Sequence, residues 1–232
     1  MLLKDLREQV LEANLELVRR GLVLYTFGNA SGISRAEGLV VIKPSGVPYE
    51  ELKPEQLVVS DLNGKIVEGN LRPSSDLPTH LVLYKAFSTI GGVAHTHSEY
   101  ATAWAQARRP IPCFGTTHAD YFHGPVPVTG VMTDEEIEGE YEKNTGDVIV
   151  RALGDRDTSG APGILVANHG PFAWGKDAMA AAQQAAILES LARMAYFTVT
   201  LNPTAQQVGK ALHDKHYLRK HGKNAYYGQA KA

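Results

Sequence analysis

His95 and His97 sit at i and i+2 in the stretch Gly91-Gly92-Val93-Ala94-His95-Thr96-His97-Ser98. On a strand, such residues project from one face about 7 Å apart, so both imidazoles can aim at one point. That spacing suits metal ligation, although ordinary strand-end histidines would look the same. A second segment repeats the pattern: Gly163-Ile164-Leu165-Val166-Ala167-Asn168-His169-Gly170-Pro171 again runs a short apolar strand into a histidine and a glycine.

Three polar stretches have the composition to hold an anion. Gly28-Asn29-Ala30-Ser31-Gly32 reads as a turn whose amides and side chains can bond an anion or a sugar hydroxyl. Most such turns only reverse the chain. Lys43-Pro44-Ser45-Gly46 combines an ammonium, a hydroxyl and glycine-flanked amides, which suits phosphate. A solvated lysine at a strand end fits equally. Ser74-Ser75-Asp76 precedes a helical run and has the residue types of a helix cap. A helix N-terminus also offers free amides to a phosphate, with Asp76 an acidic group for a metal.

These candidates need elements to position them. Leu3, Leu6, Val10, Leu11, Leu15 and Val18 recur near helical spacing, which predicts a helix over 2–20 with Gly21 as its stop. Strands are predicted over 23–27 and 39–43, and a hairpin over 58–67 around Asn63-Gly64, a pair that suits a type I′ turn. A helix follows Pro78 through Phe87, and another covers 100–108. Pro110, Pro112, Pro125 and Pro127 then impose short elements. An acidic helical piece spans 134–141, with 148–153 as its extension, and 154–162 reads as a surface loop. An alanine-rich helix over 177–199 would pack on a sheet through Ala181, Ala185 and Ala192. This irregular alternation predicts a single-domain mixed α/β sandwich over 1–232, not a barrel or a doubly wound fold.

Composition narrows the function. The 232 residues are 44% hydrophobic and 21% charged, as expected of a soluble globular chain. A net charge of -2 argues against nucleic acid or an anionic membrane as partner. Cys113 has no intrachain partner, and Lys4, Asp5, Arg7 and Glu8 interrupt any secretory signal, so a cytoplasmic location is expected. The segment 214–232 is basic and aromatic with few aliphatics. It reads as a solvated tail, a nucleic-acid arm, or a cover over a site for an anionic ligand.

The ordered set Gly28-Asn29-Ala30-Ser31, Lys43-Pro44-Ser45-Gly46, Pro73-Ser74-Ser75-Asp76, His95-Thr96-His97-Ser98, Thr116-Thr117-His118-Ala119-Asp120-Tyr121, Asn168-His169-Gly170 and Ala225-Tyr226-Tyr227-Gly228 resembles the class II sugar-phosphate aldolase and epimerase superfamily. The resemblance spans essentially the whole chain, and the Thr-Thr-His-Ala-Asp-Tyr and His-Tyr-Leu-Arg-Lys-His-Gly segments are similar to its epimerase branch. It implies a mainly antiparallel sheet sandwiched between helices. It also implies interconversion of L-ribulose 5-phosphate and D-xylulose 5-phosphate, on a homotetramer with sites between subunits, the tail 214–232 completing each site. An aldolase that releases its aldehyde, or a non-catalytic interaction module, are the other readings of the same fold.

Chemistry agrees with what the resemblance implies. The C4 hydrogen of a 2-ketopentose phosphate is not adjacent to the carbonyl, and the chain has no Gly-x-Gly-x-x-Gly after a strand for a nicotinamide. Cleaving and re-forming the C3–C4 bond remains. The resemblance assigns His95, His97, His169 and Asp76 to a divalent metal, a set that suits Zn²⁺ best and other first-row ions too. It assigns the substrate phosphate to Gly28, Asn29, Lys43, Ser45, Gly46, Ser74 and Ser75. Asp120 and Tyr227 become acid/bases on opposite faces, Tyr227 from a neighbouring subunit, with Thr116, Glu142, His216 and Arg219 in support.

Overall fold

The computed structural model describes residues 1–228, so the last four residues of the expected tail, 229–232, lie outside the described residues. Seven strands form one sheet: β1 (Asn29–Ser34), β2 (Leu39–Ile42), β3 (Val58–Asp61), β4 (Ile66–Glu68), β5 (Gly92–His95), β6 (Gly163–Val166) and β7 (Gly170–Gly175). Their order is β4-β3-β2-β1-β5-β7-β6, and every neighbouring pair is antiparallel. The helices are α1 (Lys4–Arg19), α2 (Leu77–Ala86), α3 (Glu99–Gln106), α4 (Thr116–Ala119), α5 (Asp134–Glu138), α6 (Tyr141–Leu153), α7 (Ala178–Leu201) and α8 (Lys210–His221).

Strand alternation sorts side chains between two layers. Val40, Ile42, Val58, Val93, Ile164, Phe172 and Trp174 face α2 and α6, where they bury Leu77, Leu81, Tyr84, Ile149 and Leu153. The intervening residues Ala30, Val41, Val59, Ala94 and Ala173 face α1 and α7. The smallness of the alanines on this side lets α7 lie close through Ala178, Ala181, Ala182 and Ala185. Gly92 shows how close: a Cβ there would stand 2.3 Å from the Asp177 carbonyl at the start of α7. A third apolar cluster joins α3 and the far half of α7 to Ile111, Phe122 and Val126.

The structure corrects several boundaries. Residues 23–27 form no strand; Leu24, Tyr25 and Phe27 are exposed, and Tyr25 has φ 53. The strand is instead the small polar run read as a turn, Asn29–Ser34. It is held by pairing to β5 and by buried Asn14 of α1, whose amide brackets the Ala30 backbone at 2.9 and 3.0 Å. In the β3–β4 hairpin the left-handed residue is Gly64 (φ 85) and Asn63 is not one, so the turn is not type I′. Asp61 Oδ1 accepts from the Asn63 and Lys65 amides and sets the turn instead. The acidic helical piece divides into α5 and α6 around Gly139.

The segment read as a tail begins inside α8, a helix with no fully buried residue. Side-chain contacts dock it: Arg219 reaches Asp120 just beyond α4, and the Tyr217 ring packs at a tilt on His123 at 4.7 Å. Among the described residues, no helix is long and apolar enough to cross a membrane.

Candidate active site

Three strands bring the site together at one end of the sheet. The register sets Asn29 of β1 and Phe172 of β7 on either side of His95, the last residue of β5. Gly28 (φ 84) passes so close to this strand that a Cβ would meet the His95 carbonyl at 2.8 Å. His169 lies in the three-residue turn between β6 and β7, where Asn168 takes φ 63, a left-handed conformation that asparagine tolerates. Arg108 holds that turn by donating to Asn168 Oδ1 at 3.0 Å.

Ligand atoms of His95, His97 and His169 lie within 4.8 Å of one another. The His95 and His97 Nε2 atoms are 3.1 Å apart, and the three ring centroids form a near-equilateral set at 4.8 to 5.0 Å. His95 Nδ1 faces the Pro171 carbonyl at 3.0 Å, and donating a proton there leaves Nε2 as the inward lone pair. Tyr141 Oη stands 3.3 Å from His169 Nδ1 and fixes that ring likewise. Burial and the neighbouring imidazoles push His169 down to about 3, and burial lowers His97 as well. Neutral imidazoles converging on one point are the donor set a borderline divalent cation takes, so these residues fit the metal.

Asp76 lines the same cavity but stands outside that mutually close trio. It occupies the first position before α2, yet its side chain makes no capping bond. Its Oδ2 accepts from Asn29 Nδ2 at 2.6 Å instead. Burial acts to raise its pKa, but the fields of His95 and His80, the Asn29 bond and His169 outweigh it and keep the carboxylate charged.

The cavity encloses about 670 Å³. In the same cavity two polar turns meet through a Pro44–Pro73 bridge, with Ser45 N donating to Arg72 O and Ser74 N to Lys43 O at 2.9 Å each. Gly28, Asn29, Ser45, Gly46, Ser74 and Ser75 therefore share one wall. Asn29 Oδ1 is buried there without a hydrogen-bond partner. Lys43 borders the cavity but is buried, which lowers its pKa to about 8. Its Nζ donates to Val47 O at 2.8 Å and Pro44 O at 3.3 Å and lies 4.7 Å over the Tyr49 ring, so it braces the turn.

Glu142 also borders this cavity, whereas Thr116, Asp120, His216, Arg219 and Tyr227 do not. Within one chain they gather elsewhere. Arg219 holds the Asp120 carboxylate through two bonds of 3.1 and 2.8 Å, His216 adds a third at 3.0 Å, and Lys220 stands 3.5 Å away. Burial would raise Asp120's pKa, but the Arg219 and His216 bonds lower it overall. The Tyr227 ring sits under Arg219 and Lys220 at 4.9 and 4.4 Å, so both expected acid/bases share the same cations. Sequence reasoning missed Tyr141 and Phe172, the ring stacked on His95 at 4.1 Å. The apolar alternation of β7 was the available signal for Phe172; nothing local announces Tyr141.

Three imidazoles at the end of an antiparallel sheet, in a cavity also lined by serines and glycines, form a donor set that can hold a divalent cation. Residues 8–196 match the family model for the Class II Aldolase and Adducin N-terminal domain, and the chain belongs to that family. The chain is 54% identical over 227 residues, 98% of its length and 100% of the relative's, to "L-ribulose-5-phosphate 4-epimerase UlaF" of Salmonella paratyphi B (strain ATCC BAA-1250 / SPB7). A solved structure of an L-fuculose 1-phosphate aldolase is 26% identical, with a TM-score of 0.78 over 93% of this chain and 96% of that one. YgbL of Klebsiella pneumoniae, described as a putative aldolase/epimerase/decarboxylase, is also 26% identical, with a TM-score of 0.72 over 91% and 97%.

Proposed function

We propose that the chain is an epimerase that interconverts L-ribulose 5-phosphate and D-xylulose 5-phosphate by breaking and re-forming the C3–C4 bond. The observation that carries this reading over an aldolase is the 54% identity to an L-ribulose-5-phosphate 4-epimerase along both whole chains. The cavity supports the same chemistry.

Ser45, Gly46, Ser74 and Ser75 offer hydroxyl and backbone donors to the phosphate, with Asn29 holding Ser74 and Asp76 in place beside it, Gly28 admitting the ligand close to β5 and Lys43 bracing the turn. A divalent first-row cation, zinc first among them, held by His95, His97 and His169 beside the charge of Asp76, would supply a Lewis acid for the negative charge that cleavage leaves on the ketone fragment. The C4 hydroxyl gives up its proton to a base, C4 becomes an aldehyde carbon, and the C3–C4 bonding pair stays with C3. The bound phosphate keeps glycolaldehyde phosphate in the cavity while its aldehyde turns. C3 then adds to the opposite face and the new C4 oxygen regains a proton.

Asp120 and Tyr227 are the acid/bases in this proposal, with Thr116, Glu142, His216 and Arg219 in support. Asp120 and Tyr227 lie away from the cavity of their own chain, which favours a homotetramer in which a neighbour brings them to the substrate. Exposed Tyr196, Phe197 and Leu201 on α7 offer apolar surface for such contacts. The same reading makes 1–232 one domain whose segment 214–232 completes the site, and, with Cys113 as the single thiol, places it in the cytoplasm.

The test is incubation of the metal-loaded protein with L-ribulose 5-phosphate and chromatography of the products. D-xylulose 5-phosphate is the expected product. Free glycolaldehyde phosphate as the main product would overturn the epimerase in favour of an aldolase.

A further inference from the structure

Where α8 crosses the end of the α4 segment, a second cluster of ligand atoms has no part in the chemistry above. His123, His213 and Asp214 each present one donor atom, all within 4.8 Å of one another. Asp214 Oδ1 is 3.6 Å from His123 Nε2 and 3.5 Å from His213 Nδ1. Those distances exceed a normal N–H···O hydrogen bond of about 2.7–3.2 Å. They suit atoms sharing a cation: metal–ligand bonds of about 2.0–2.1 Å in a tetrahedron set ligand atoms roughly 3.3–3.4 Å apart.

The surroundings hold the donors in place. His213 Nε2 accepts from the Gly124 amide at 3.0 Å and stands 3.1 Å from the Phe122 carbonyl. These contacts turn Nδ1 to Asp214, and a cation taken up by Nδ1 would move the ring proton to Nε2, where the Phe122 carbonyl accepts it. This is the arrangement in which metal-bound histidines are normally oriented by a carbonyl. His123 packs at a tilt against the His213 ring at 5.1 Å and the Tyr217 ring at 4.7 Å. The second Asp214 oxygen is taken by Lys210, so Oδ1 is the one turned to the imidazoles. His213 and Asp214 side chains are 12% and 27% exposed, while His123 is 54% exposed, which leaves the outer side open to solvent.

We infer that His123, His213 and Asp214 form a second cation site, selective for borderline first-row divalent ions such as Zn²⁺ or Co²⁺. Two imidazoles and one carboxylate disfavour Mg²⁺ and Ca²⁺, which take oxygen ligands. A cation there would pin α8, through His213 and Asp214, to the segment after α4, through His123. The same two elements carry Arg219, His216 and Asp120. The site is thus a clamp on the element that positions the Asp120 cluster, distinct from the His95, His97 and His169 centre.

The experiment uses the full chain, stripped of metal with a chelator and then dialysed against buffered Zn²⁺, with metal content read by elemental analysis. The wild-type chain is expected to hold about two Zn²⁺ per chain and His213→Leu about one, as two independent sites require. His97→Asn, which weakens the first centre, should keep the second ion. In that His97→Asn background, Zn²⁺ at about 100 times its Kd should raise Tm by roughly 5 °C or more, and adding His213→Leu should abolish the rise. His123→Phe keeps a ring against Tyr217 and serves as the check should His213→Leu fold poorly. Equal Zn²⁺ content in wild type, His213→Leu and His123→Phe would overturn the second site.

Discussion

Imidazole nitrogens 3.1 Å apart, such as Nε2 of His95 and His97, repel when both present lone pairs and attract when a proton or cation lies between them. The Pro171 carbonyl claims the His95 Nδ1 proton, which leaves Nε2 a lone pair that a cation between the rings would satisfy. Tyr141 performs the same task for His169 at 3.3 Å. Removing such an outer partner weakens a metal site by roughly 10–100-fold without deleting a ligand. Tyr141→Phe is therefore expected to raise the Kd for Zn²⁺ at this centre by about that factor in competition with a chromophoric chelator, with the fold intact by circular dichroism. An unchanged Kd would remove Tyr141 from the site. The histidines were legible in the sequence as a His-x-His pair ending a short apolar run, but β5 stops at His95, so the chain beyond the strand, not strand alternation, brings His97 to it. Tyr141 was not, because 28 residues separate it from His169 and only the packing of α6 brings them together.

At the scale of elements, α1 and α7 could be read from apolar periodicity, and β5 from the run Val93-Ala94-His95. β1 was hidden because Asn29, Ala30, Ser31 and Gly32 carry turn residue types; their strand exists through pairing with β2 and β5 and through Asn14. α8 was hidden for a different reason. Its docking depends on Asp120 receiving Arg219, His216 and Lys220, contacts nearly a hundred residues apart that no local pattern encodes. Asp120's folded pKa is depressed, so this contribution is present above the ordinary carboxylate value of about 3.9 and is lost as pH falls through the lower folded value. Hydrogen exchange across 210–221, corrected for the intrinsic rate, should therefore show protection at pH 7 that falls away at a pH below the lowered folded value of Asp120. Equal protection at both pH values would mean that α8 is held by something other than the charged Asp120.

For the whole molecule, the cavity of one chain holds the trio of histidines and the serine and glycine turns, while Asp120 and Tyr227 gather around Arg219 outside that cavity. An assembly that joins these surfaces needs neither half to be complete. Tyr227→Phe alone is expected to cost roughly 10²-fold or more in turnover, as loss of an acid/base does, and His97→Asn should be similarly impaired through its metal. Mixing the two inactive chains under conditions that exchange subunits should restore a measurable fraction of wild-type activity, because some sites then pair an intact His97 with an intact Tyr227. No recovery in demonstrably mixed oligomers would place both residues in the same chain's site.

The bond that breaks can be observed directly. Cleavage between C3 and C4 never touches the C4–H bond, whereas inversion by proton abstraction must exchange that hydrogen with solvent. L-ribulose 5-phosphate converted in ²H₂O and followed by NMR should yield D-xylulose 5-phosphate with ordinary hydrogen at C4. Deuterium at C4 of the product would contradict carbon–carbon cleavage as the route to epimerisation.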